Sequence, residues 1–206
     1  MPKHSRTLHN EFSIKVQALE ATRQSFENAF VAHLISDDDI IQGYAGLYLD
    51  LFTEFEGLIE SLFIGILSGS ITPNNKVIKR KLTIKPVSEI ESVLLGDRRT
   101  YLDWLPYAEN TIKRANIYFD GGKPFTLLNN NEKGKITMYH KIRNAIAHKS
   151  KKASNEFQKI INGLTLLPVE SIPQGYLRNI PNALTGMTQL EIIGDELAVI
   201  SHKLCN

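Results

Sequence analysis

Residues 39–67 read DIIQGYAGLYLDLFTEFEGLIESLFIGIL, and this stretch decides the fold. Its large apolar residues are Ile41, Tyr44, Tyr48, Leu51, Phe55, Leu58, Ile59, Leu62, Phe63 and Ile66. They return every three or four positions, which is the repeat of one face of an α-helix. An aromatic-rich stripe of this kind reads as core. The same stretch is the most apolar in the chain, yet Asp50, Glu54, Glu56 and Glu60 interrupt it. Four acids on one helix argue against a membrane span. Gly43, Gly46 and Gly57 weaken the helix locally and suggest close approach by a neighbour. Glu56 and Glu60 lie one turn apart on one face. They read as a solvated acidic edge or, more sharply, as a hold for a cation from another helix.

Outward from this stretch the helical period persists. Between Glu11 and Ile35 it is carried by Phe12, Val16, Leu19, Phe26, Phe30 and Leu34, with a gap near Arg23. Ser36-Asp37-Asp38-Asp39 breaks that helix and supplies a cap for the next. Three adjacent Asp also raise the idea of a metal site, but no partner ligands sit at useful spacing. A third long helix is expected over Arg98–Phe119, with Tyr101, Leu105, Ala108, Ile112, Ala115 and Phe119 inward and Pro106 either kinking it or marking its start. Glu156–Leu167 is weakly helical, and Thr185–Leu204 closes the chain with Met187, Leu190, Ile193, Leu197, Ile200 and Leu204 inward. No repeat and no parallel-sheet pattern competes with this reading. The expectation is one all-α domain over 1–206, a bundle of four to five main helices.

Composition bounds the function. The chain has 206 residues, 42% hydrophobic and 22% charged, with net charge +2, so any anion site must come from local clustering. The densest cluster is Lys76, Lys79, Arg80, Lys81 and Lys85; it reads as a solvated face first and as a polyanion contact second. The lone Cys205 excludes an internal disulfide, and Met1–Asn10 is polar without an apolar h-region, so a cytoplasmic setting is expected. No Gly-rich loop ending in Lys is present, the six His lack zinc spacing, and Cys205 has no evident base. Neither metal nor cofactor is expected.

The chemistry concentrates in Arg143-Asn144-Ala145-Ile146-Ala147-His148, within a helix expected over Lys135–Lys149. Arg offers a planar charged fork for phosphate oxygens, and His exchanges protons near neutral pH. Met138, Ile142, Ala145 and Ile146 form an apolar row; His140, Asn144 and His148 form a polar row nearly opposite, flanked by Arg143. Ala145 and Ala147 keep the surface low enough for a second body. Lys149, Lys151 and Lys152 follow, where cations also suit the helix's negative end.

This segment resembles the signature of the HEPN superfamily: Arg, a polar residue, three variable residues and His near the start of a late helix. Arg143 to Ser150 with Ala153 and Phe157, the run Phe119 to Phe125, and Gly175-Tyr176-Leu177-Arg178 are similar to the branch called RiboL-PSP-type HEPN. The resemblance implies a metal-independent endoribonuclease acting as a homodimer on RNA, in bacterial toxin–antitoxin or antiviral defence systems, with a possible antitoxin or defence partner protein. It implies catalytic roles for Arg143, Asn144 and His148, and an acid from an earlier helix, for which Glu56 comes first and Glu60 second. His140 and Lys141 are candidates to line the same cleft. Lys76, Lys79, Arg80, Lys81, Lys149, Lys151 and Lys152 are the candidate RNA contacts. The alternative is a non-catalytic HEPN-like module that binds a nucleotide, RNA or protein.

Overall fold

The computed structural model describes residues 3–75, 77–95 and 102–206. Among them the chain is all-α. The helices are α1 (Ser5–Val31), α2 (Asp37–Ser68), α3 (Ser88–Leu95), α4 (Lys113–Tyr118), α5 (Asn130–Ala147), α6 (Lys151–Ile161), α7 (Pro173–Tyr176) and α8 (Gln189–Cys205). Two-residue strands β1 (Lys3–His4) and β2 (Ile71–Thr72) pair in parallel. No helix among the described residues is long and apolar enough to cross a membrane.

Helix starts follow local capping chemistry. The Ser36 hydroxyl accepts from the Asp39 amide at 3.2 Å while Asp39 accepts from the Ser36 amide at 2.9 Å. Asn129 with Glu132, and Thr188 with Glu191, repeat this reciprocal pattern at α5 and α8. The acidic run Asp37–Asp39 is thus the first turn of α2. α1 begins earlier than the sequence period suggests and ends at Val31, where His33 takes φ 55°. The long helix expected over Arg98–Phe119 is shorter. Leu102–Leu105 are not helical, and a π-turn at Ala108–Ile112 leads into α4. Pro106 therefore precedes the helix rather than kinking it. Arg98 and Tyr101 lie outside the described residues.

The chain forms two compact units, and the four long helices contribute to both. The first holds 1–13, 55–137 and 198–206. Its centre is the fully buried Phe63, whose ring lies 5.0 Å from Trp104, 4.8 Å from Phe119 and 5.2 Å from Phe125. Such tilted and edge-on pairs add to the burial of large rings. The Trp104 indole donates to Glu60 at 3.1 Å. Cys205 is buried as the last helical residue, and burial pushes its thiol up to about 12.

The second unit holds 14–54 and 138–197. Tyr44, Tyr48, Leu51 and Phe52 supply the buried face of its α2 segment. Gly43 admits the Phe26 ring, which would stand 2.9 Å from a Cβ there; Gly46 has no described neighbour within 4 Å. Two arginines are closed into ion pairs. Arg23 donates to Glu20 at 2.7 Å, Glu191 at 3.0 Å and the Tyr44 hydroxyl at 3.2 Å. Arg178 donates twice to Glu27, both at 2.9 Å, and lies over the Phe30 ring. The Tyr44 hydroxyl donates onward to Glu27 at 2.7 Å, which ties the two arginines into one network.

Candidate functional site

The motif lies in the second unit and closes α5 rather than opening a helix. Asn144 opens the last turn of α5 with Arg143 just before it, and His148 follows the helix end, with its amide still bonded to the Asn144 carbonyl at 2.9 Å. Ser150 then turns extended and caps α6, its hydroxyl accepting from Ala153 at 3.2 Å. The buried row of the helix is Ile136, Tyr139 and Ile142, with Tyr48 donating to the Tyr139 carbonyl at 2.7 Å. Met138, Ala145 and Ile146, expected inward, are only half-buried. On the polar row His140 and Asn144 are half-buried too, and Phe52 of α2 stacks on the His140 ring 6.3 Å away. Only His148 of that row is exposed.

These side chains form a directed chain. Arg143 Nη1 lies 3.2 Å from Asn144 Oδ1 and 3.3 Å from His148 Nε2. A guanidinium can only donate, so Nε2 of His148 accepts and the ring is neutral in this contact. Asn144 Oδ1 also accepts, which leaves its Nδ2 to donate to His140 Nε2 at 3.1 Å. His140 therefore holds the amide that Arg143 orients. Among the described residues Arg143 makes no ion pair.

Two clefts share His148 as a wall. One, of about 390 Å³, is lined by Lys141, Asn144, His148, Ser150, Lys152 and Glu156 among others. Glu156 was not among the residues singled out by sequence. It pairs with Lys141 at 2.7 Å, and hydrogen bonds from Lys141 and Lys159 hold its carboxyl down to about 2. The other, of about 440 Å³, is lined on one side by Lys149, Lys151 and Phe157 and on the other by Ile172, Pro173 and Gln174. Phe157 is buried against Tyr176, ring centroids 5.7 Å apart. Gly175 holds the 172–174 wall, since a Cβ there would fall 1.8 Å from the Val169 carbonyl oxygen.

The remaining sequence candidates belong to the first unit. Glu60 accepts from Trp104, and Glu56 is half-buried on α2. Arg80 donates to the Ile66 carbonyl at 3.2 Å and Lys81 to the Asn116 carbonyl at 2.6 Å, so both cations are engaged with backbone. Lys79 is exposed, and Lys76 lies outside the described residues. Among the described residues no three His, Cys, Asp or Glu gather as a metal-binding group. No protein-family model matches the chain, and comparison with curated proteins and with solved structures gives no match.

Proposed function

We propose that the chain is a metal-independent endoribonuclease of the HEPN kind that cuts RNA through its own 2′-hydroxyl. The observation that carries this reading is Arg143 within hydrogen-bonding reach of both Asn144 and the exposed His148, beside a cleft edged by Lys141 and Lys152. His148, accepting at Nε2, has a lone pair that can take the 2′-hydroxyl proton once substrate displaces the Arg143 contact. The freed guanidinium then meets the phosphate oxygens, where charge grows as the 2′-oxygen attacks phosphorus. Asn144 keeps both groups aligned. The bond to the 5′-oxygen breaks, leaving a 2′,3′-cyclic phosphate and a 5′-hydroxyl.

The leaving oxygen needs a proton. Within the motif one chain places a single exposed imidazole, which serves as base. A second copy meeting it across the low Ala147 surface supplies the acid, so the working form is a homodimer. A toxin or defence role, with a cognate antitoxin or partner protein, belongs to the same reading. The test is cleavage of RNA in EDTA by wild type and by His148→Ala. Cyclic phosphate ends formed by wild type alone are expected, and one 2′-deoxy substitution should block the cut at that position. Efficient cutting at the deoxy position, or a strict magnesium requirement, overturns the mechanism. Binding without cutting returns the chain to a non-catalytic module.

A further inference from the structure

The polar row carries a second imidazole that the proposed reaction does not use. His140 lies two turns before His148, about 12 Å along the helix axis at 1.5 Å per residue. The path between the two rings runs through Asn144 and Arg143. Donor and acceptor roles along it are fixed. Arg143 can only donate, so Asn144 Oδ1 faces it and Nδ2 faces His140. Nδ2 also only donates, so His140 Nε2 accepts and the ring carries its proton on Nδ1. The opposite amide orientation would set the NH2 group against the guanidinium, two donors face to face.

Rigidity falls along the same path. His140 is half-buried, and its ring lies nearly parallel to that of the fully buried Phe52, at an interplanar angle of 9°. Asn144 and Arg143 are half-buried, and His148 is exposed. Neither the amide nor the guanidinium is held by a charged partner at these contacts, so each is only as fixed as the next group back. The group at the back is His140. We propose that His140 is a positioning residue: its Nε2 lone pair fixes the Asn144 amide, which holds the Arg143 guanidinium at His148 and keeps His148 Nε2 free of a proton. The consequence for cutting rests on the ribonuclease reading; the relay itself does not.

The experiment reads both ends of the relay by 15N NMR of the imidazoles in mildly alkaline buffer, with RNA cleavage scored separately. Wild-type His140 should be the neutral tautomer protonated at Nδ1. His140→Phe keeps a ring on Phe52 and removes the lone pair; His140→Gln gives up the ring and keeps an acceptor. The Phe variant should move the His148 Nε2 resonance downfield as its Arg143 donor loosens. It should also lower kcat roughly three- to tenfold, the size of one net hydrogen bond. The Gln variant should recover both. The reverse order, with Phe tolerated and Gln impaired, is that of a packing role and overturns the proposal. In an Asn144→Ala background His140→Phe should change neither reading further. A wild-type His140 protonated at Nε2, a His148 resonance unmoved in the Phe variant, or an effect of that variant undiminished without Asn144 also overturns it. An intact relay in a protein that does not cut RNA defeats the ribonuclease reading and leaves the relay standing. His148-dependent cleavage with additive losses at His140 and Asn144 does the reverse.

Discussion

The second unit holds two kinds of arginine. Arg23 and Arg178 face carboxylates at 2.7–3.0 Å, and Tyr44 links Arg23 to Glu27, the partner of Arg178. Arg143 faces an amide and an imidazole. The first arrangement neutralises charge within the fold. It holds Glu27 below the ordinary carboxylate range, chiefly through the Arg178 hydrogen bond, and raises Arg23 through Glu20. The second leaves a full positive charge beside a neutral proton acceptor. A guanidinium committed to carboxylates stabilises; one held by neutral groups can be recruited by an incoming anion without first breaking an ion pair.

The difference can be broken at either end. His148→Ala should lower RNA cleavage about 10²- to 10⁴-fold, the range for a lost proton-transfer group, with unchanged circular dichroism and Tm. Because the ring is exposed, a variant that loses helicity would make His148 structural. Arg143→Lys should cost about a hundredfold in kcat/KM, since a point charge cannot repeat the paired planar contact. Near-normal cleavage by this variant would reduce Arg143 to diffuse charge.

At the other arginines the effect should appear in stability alone. Arg23→Ala removes one charged donor from Glu20, Glu191 and the Tyr44 hydroxyl, and should cost about 2 kcal/mol in urea unfolding. That is below the range for fully buried pairs, since Glu20 keeps a third of its surface in water. Cleavage by folded Arg23→Ala should stay at the wild-type rate. The smallest effect is one of pH. The Glu27 carboxyl is lowered in the folded state from an ordinary 4.5. Its contribution is therefore present above pH 4.5 and is lost as pH falls through the lowered folded value. Tm measured from pH 7 down to pH 3 should fall more for wild type than for Glu27→Gln. Parallel curves would mean that Arg178 does not hold that proton off.

How far each region was legible in the sequence follows the same division. α2 could be read almost to the residue, because thirty positions of periodic apolar side chains outweigh any local signal. α6 was placed late. Its buried face, Ala153, Phe157 and Ile161, recurs every four residues, but the period opens on a small side chain after two lysines, where the Ser150 cap is the other signal. Arg143, Asn144 and His148 lie within six residues at the end of one helix, so their meeting is written in local geometry. Glu156 beside Lys141, Gln174 beside His148, and Arg178 on Glu27 join segments far apart in the chain. A single sequence holds no record of such encounters. The half-burial of His140 and Asn144 was hidden for a related reason: a helical wheel shows which residues share a face, not whether a Phe52 stands against it.

The contact between Gly175 and the Val169 carbonyl sets a tolerance. One wall of the larger cleft is located by main chain against main chain, with no side chain to act as a shim. Surface substitutions along 168–174 can vary the lining without moving the wall, so the fold permits new linings on a constant frame. Position 175 itself admits no such latitude. Even one added methyl must push the two backbones apart and displace the 172–174 wall beside His148.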